Sequence, residues 1–267
     1  MNRILLAHEL RQGYKSLAIW TSSIAFFIVI CIMMFPQISS QMEGVNDIFA
    51  SMGAFSEAFG MDRLNFGTLI GFYSVECGNI LGLGGAMFAA ITGISILSKE
   101  ENGRSAEFLF SHPVSRCHVI TSKLMAMFVQ IIVLNIMVFL ITLLAILAIG
   151  ETVPWNALAL LHSAFLCAQI EIACICFGIS AFIRQSGIGI GIGIALILYF
   201  MNIVANINDN AAFLEYLSPF SYCEAADIVQ SSSLESDKLA IGLLLALTGI
   251  ATAYLHYSRK DIRAGFP

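Results

Sequence analysis

Apolar residues run almost unbroken along this chain, and polar positions gather into short islands between them. A helix needs about 20 mostly apolar residues to cross a hydrocarbon core. Six stretches approach or exceed that length: Leu17–Phe35, Leu69–Leu97, Val119–Ile149, Asn156–Ile183, Ile188–Val204 and Leu239–Tyr257. The second, third and fourth are longer than a perpendicular span, so they tilt, kink or project into water. Barrel strands would alternate polar and apolar residues over segments of about 10, which these continuous runs do not do. The pattern predicts an all-α, polytopic membrane protein with six transmembrane helices in one domain, 1–267. Residues 1–16 read as an amphipathic helix in the membrane interface, with Ile4, Leu5, Leu10, Tyr14 and Leu17 on one face. A cleaved signal is not expected, because no small-x-small site follows the first span before Pro36.

Composition excludes the alternatives. Of 267 residues, 58% are hydrophobic and 12% charged, and mean hydropathy is +0.84. Soluble domains carry about 25% charged residues, so this chain cannot cover a water-facing surface. Disorder needs the opposite composition. The net charge of -5 matters less than where the charges sit. Eleven of the 13 Lys and Arg fall in segments 1–16, 98–118 with Lys123 just beyond, 184–187 and 258–267. The segments 36–68, 150–155 and 205–238 hold only Arg63 and Lys238. Cationic loops stay cytoplasmic, which places both termini in the cytoplasm of a cell (inner) membrane protein. Most of the acidic residues, among them Glu43, Glu57, Glu151, Glu215, Glu224 and Asp227, fall on the other side.

The non-spanning segments differ in kind. Segments 36–68 and 205–238 mix Phe, Tyr and Leu with acids, so they cap the bundle from outside or dip back into the membrane. The cytoplasmic loop Ser98–His118 carries a capping box, Ser98 with Glu101, and Pro113 to stop the helix. Ala106, Leu109 and Phe110 give that helix one apolar edge, and Glu100, Glu101, Arg104 and Glu107 a charged one. A short helix held between two spans with apolar residues exposed is shaped to dock on another protein. Cys174-x-Cys176 puts its thiols about 200° apart on a helix, so no metal site is expected there.

Ser98-Lys99-Glu100-Glu101, Glu107-Phe108-Leu109, His112-Pro113-Val114-Ser115-Arg116 and Ser122-Lys123 together resemble the permease subunits of ABC-2 type transporters. Leu217-Ser218-Pro219-Phe220, followed by Ala225-Ala226-Asp227-Ile228, resembles the block before their last span, and Tyr257-Ser258-Arg259-Lys260-Asp261 their closing segment. The resemblance implies a type V exporter-like transmembrane domain that works as a homo- or heterodimer with a second permease subunit. It also implies ABC ATPase subunits that hold ATP and Mg, with no cofactor bound by this chain. By resemblance, Lys99, Glu100, Glu101, Arg104, Glu107, Phe108 and Leu109 form a coupling helix against the ATPase, with Pro113 and Arg116 in the turn back into the third span. No G-x-x-x-x-G-K-[ST] run occurs in the chain, so ATP would be held by another polypeptide. No nucleic-acid partner is expected.

Within the spans the candidate chemistry is sparse. Glu76 and Glu171 are intramembrane acids, which face a bundle interior or a wet cavity. Glu171 either meets a cationic substrate or a proton, or hydrogen-bonds a neighbour such as Asn135 or Gln169. His162 reads as interfacial, at the outer end of the fourth span. Gly78, Gly82, Gly85 and Gly93 share one helix face, and Gly187/Gly191 and Gly189/Gly193 are GxxxG pairs for close helix packing or subunit pairing. Two other function classes stay open. A secondary transporter would show two related halves with broken helices. A CAAX-type intramembrane protease would use Glu100-Glu101-Asn102-Gly103-Arg104 and Phe108-x-x-x-His112, although here these fall in a loop.

Overall fold

The computed structural model describes residues 3–40, 52–61, 63–99, 115–183, 185 and 187–259, with only the backbone of residue 209. Their helices are α1 (Arg3–Ser39), α2 (Ala54–Ala58), α3 (Leu69–Ser95), α4 (Arg116–Ala148), α5 (Trp155–Ser180), α6 (Ile188–Ile207), α7 (Ala225–Ser231) and α8 (Ser236–Arg259). Two 3₁₀ segments, Asp209–Tyr216 and Ser221–Cys223, lie between α6 and α7. No strand occurs among the described residues. Six helices, α1, α3, α4, α5, α6 and α8, are long and apolar enough to cross a membrane.

Local chemistry sets the helix ends. Thr68 accepts the Gly71 amide at the start of α3, and Ser115 accepts the His118 amide at the start of α4. Gly150, at φ 78°, closes α4 in a conformation that L side chains resist. Successive long helices run antiparallel. They give a basal end, holding residues 3–16, the turn after α3, the start of α4 and the close of α8, and a distal end.

The amphipathic segment is helical from Arg3 and runs without interruption into the first span, to Ser39. One side of it packs on the bundle: Glu9 is 3% exposed and is held against α4. Pro36 lies inside the last turn of α1, where its missing N–H removes only one of the final intrahelical bonds.

α3 and α5 form the centre, because their glycines let the backbones approach. A Cβ on Gly82 would lie 3.0 Å from the Phe165 ring, and Gly78 faces the same ring at 3.5 Å. A Cβ on Gly85 would overlap the Gln169 amide, and one on Gly93 the Ala173 carbonyl. α6 packs on α3 through Gly187 and Gly191, which meet Ile94 and Ala90. α8 packs on α5 where Gly178 and Gly249 meet backbone to backbone. α1 lies against α4 and α3, with Gly13 leaving room for the Gln130 side chain and Gly84 facing Ile24.

The segment after α6 turns back into the bundle. Tyr222 reaches Glu171, which is nine residues, or about 14 Å of rise, from the basal end of α5. Irregular backbone at that depth must be satisfied by protein. The serines of Leu217-Ser218-Pro219-Phe220-Ser221 do this. Ser218 Oγ donates to the Leu198 carbonyl and accepts the Phe220 amide, and Ser221 Oγ contacts the carbonyls of Glu215 and Ser218.

Gly93→Ala must force the Ala173 backbone away, whereas Gly189→Ala meets open space. Overpacking typically costs about 1–3 kcal/mol. Thermal unfolding of the monomeric chain in detergent should show a lowered midpoint for Gly93→Ala and an unchanged one for Gly189→Ala.

Candidate functional site

The polar side chains of the bundle fall into three levels. At the basal end Glu9 is the centre of an ion cluster. Its carboxylate accepts from Lys123 Nζ at 2.7 Å and from Lys99 Nζ, and Lys99 also donates to Gln12 at 2.8 Å. Glu9 and Lys123 are 3% and 1% exposed, so this pair is removed from water. Lys99 ends the segment entering loop 100–114, and Lys123 lies in the second turn of the helix leaving it. One carboxylate therefore ties both stems of that loop to α1.

By resemblance Lys99 belongs to the contact with the ATPase subunit. In the structure its ammonium is turned toward Glu9 and Gln12 of its own chain. Glu100, Glu101, Arg104, Glu107, Phe108, Leu109 and Pro113 lie outside the described residues. Arg116 opens α4 and donates to the Ser258 carbonyl at 3.3 Å, joining the loop's exit to the end of α8. Thr121 and Tyr254 meet at 2.6 Å, and Phe182 stacks on His256 nearby. The Ser98 hydroxyl donates to the Ile94 carbonyl and also contacts that of Ser95, while Glu101, the other half of the capping box, lies outside the described residues. The single feature that could have revealed the basal cluster is Glu9, the one acid in an otherwise basic segment.

In the middle of the bundle polar groups serve one another. Asn135 Nδ2 donates to Gln169 Oε1 at 2.7 Å, and Gln169 donates to the Leu81 carbonyl at 3.5 Å, joining α4, α5 and α3. Glu171 was expected to bond Asn135 or Gln169 if it served packing. Those two amides pair with each other, and the Tyr222 hydroxyl donates to Glu171 at 2.8 Å instead. His162, read from the sequence as interfacial, is buried within the bundle: it is 6% exposed, bonds Tyr73 at 2.7 Å, stacks on the Tyr73 ring and meets Phe139 edge to face. Tyr73 and Phe139 come from α3 and α4, which is why spacing along α5 alone could not reveal this burial.

At the distal end Arg63 holds Asp227 at 2.6 Å and approaches Glu224 at 3.8 Å, while Lys238 joins Glu215 and Glu235. Asn206 donates to Glu224 at 3.1 Å. These groups surround a polar cavity of about 150 Å³. Burial pushes the Glu224 carboxyl above the ordinary carboxylate value, against the pull of Asn206 and Arg63. Glu76 is exposed, on a half-open stripe of α3 with Ile80 and Met87. A Cβ on Gly189 or Gly193 of α6 would meet nothing within 4 Å among the described residues, unlike one on Gly187 or Gly191. The described residues hold no group of three or more His, Cys, Asp or Glu suited to a metal.

Two measurements test these clusters. Removing one member of a buried ion pair costs about 3–5 kcal/mol. Glu9→Gln should therefore lower the thermal midpoint strongly, and Glu9→Gln with Lys123→Met should recover part of the loss. For Glu224 the sign follows from its raised folded value. Its contribution to stability is full below pH 4.5 and is lost as pH rises through the raised value. Glu224→Gln should flatten the decline of the melting midpoint from pH 4.5 to 8.

A search of curated proteins found no match. The family model described as ABC-2 family transporter protein matches residues 3–262, which takes in all six long apolar helices and both stems of the basal loop. With nearly its whole length matched, this multi-pass chain belongs to the ABC-2 transporter family, as a permease of an ABC transporter.

Proposed function

We propose that this chain is the membrane half of an ATP-driven exporter in a cell membrane, with both termini and the basal end in the cytoplasm. The observation that carries the reading is the Glu9 cluster. It ties the stems of loop 100–114, at Lys99 and Lys123, to the first span. A loop anchored on both sides passes a push into α1, α3 and α4 together. Without the anchor the push would be absorbed by bending the loop.

Glu100, Glu101, Arg104, Glu107, Phe108 and Leu109 form the docking element for a separate ATPase subunit, which holds ATP and Mg. Pro113 and Arg116 return the chain to α4. Closure of the nucleotide-bound ATPases moves the loop, and the buried Glu9–Lys123 pair makes the motion a shift of packed helices. The cationic residues support the orientation, since eleven of 13 lie in basal segments.

A second permease subunit covers the face left open by α3 and α6. Glu76 lies on that face, as do Gly189 and Gly193, where small residues permit close approach. The central pathway then runs between subunits, along α3 and α6.

Affinity purification of the tagged chain in mild detergent, with an ATPase assay, tests the reading. A P-loop ATPase should co-purify with the parent and be reduced about tenfold or more with Glu101→Ala or Phe108→Ala, the loss of about 1.4 kcal/mol or more of binding. A chain that purifies alone, with neither substitution changing its behaviour, overturns the proposal.

A further inference from the structure

A cleft of about 370 Å³ separates α5 from the first turns of α8, and Glu171, Tyr222, Ser236 and Cys167 are its polar members. Its walls are otherwise apolar, with Ile170, Leu239 and Leu243 prominent. The volume falls within the range of sites for small organic ligands. Leu243 is 62% exposed, so the mouth lies on the outer surface of the bundle. In a bilayer that mouth meets hydrocarbon, and whatever enters has dissolved in the membrane first.

Glu171 gives the cleft its selectivity. A carboxylate at this depth is costly unless something compensates it. Tyr222 donates to one oxygen. Among the described residues no donor meets the other oxygen, and no Lys, Arg or His pairs with the carboxylate. The position is built rather than incidental: Gly242 of α8 lies against the carboxylate, and a Cβ there would overlap Oε2. Tyr222 is delivered by the re-entrant segment, whose serines hold it at this depth.

We propose that this cleft binds the ammonium group of a single-chain amphipathic amine, with Glu171 as counter-ion, the Tyr222 hydroxyl fixing the carboxylate, and the apolar walls taking the tail. A phospholipid headgroup fits less well, because it would have to sink from the membrane surface to the level of Glu171. The inference rests on reading the chain as a bilayer-embedded bundle, and it names a ligand class for a lateral site apart from the pathway between subunits.

The test uses the unmodified chain in phosphatidylcholine nanodiscs, so no variant has to fold. Dicyclohexylcarbodiimide modifies carboxyls within membranes, and peptide mass spectrometry reads the adduct at Glu171. N,N-dimethyloctylamine is the protecting probe, because a tertiary amine cannot itself form an amide. Octanol is the neutral control of equal chain length. At about ten times its dissociation constant the amine should cut labelling about tenfold, with octanol leaving it nearly unchanged. No labelling of Glu171, no protection by the amine, or equal protection by octanol would each overturn the proposal. Binding is read on the permease alone. A negative result leaves ATPase coupling standing, and failure to recover an ATPase leaves this site standing.

Discussion

The crossing of α3 and α5 is the contact on which the rest of this bundle depends. In lipid there is little hydrophobic drive between helices, so packing, hydrogen bonds and close approach must hold them. Gly82, Gly85 and Gly93 remove the side chains that would keep the two axes apart. The space is filled from α5, by the Phe165 ring, the Gln169 amide and the Ala173 backbone. Gln169 then reaches Asn135 of α4 and the Leu81 carbonyl, so one close approach locks three helices. Lower down, Ser180 meets the Leu97 amide, and Ala90 and Ile94 of α3 receive the glycines of α6. A larger residue at Gly85 or Gly93 would move all of these at once.

The same lipid constraint explains the re-entrant segment. Non-helical backbone cannot face hydrocarbon, because each unpaired group costs several kcal/mol. The stretch Ser218–Cys223, with the second 3₁₀ segment, nevertheless enters between α5, α6 and α8, since Ser218 and Ser221 take up carbonyls and amides that a helix would have paired internally. The arrangement places a tyrosine hydroxyl beside the one acid that α5 buries. It also sets α8 to begin beneath the distal surface, where Lys238 is neutralised by Glu215 and Glu235.

Charge is divided between the two ends in different ways. The distal ion pairs around Arg63 and Lys238 are partly exposed, and exposed pairs contribute little to stability. The basal pair of Glu9 and Lys123 is buried, and there a missing partner would leave an uncompensated charge. A buried pair suits a joint that must keep its geometry while it is pushed. An exposed network suits a rim that solvent can enter.

The helical class, the six spans and the family were legible in the order of residues alone. Span length and loop charge are one-dimensional properties: a run such as Ile188–Val204 has to cross a bilayer whatever lies beside it. The Ser-Lys-Glu-Glu and Leu-Ser-Pro-Phe blocks are local strings for the same reason. Which polar group meets which was not legible. The sequence could propose Asn135 or Gln169 for Glu171, but it could not supply Tyr222, 51 residues away on a segment that turns back into the bundle. It could list two GxxxG pairs, but only the rotation of α6 about its axis decides that Gly191 meets α3 and Gly193 faces none of the described residues. Glu9 looked like part of a surface helix until two lysines, 90 and 114 residues further on, closed over it. Partners distant along the chain are chosen by helix rotation and depth, and those are settled only when all six helices pack together.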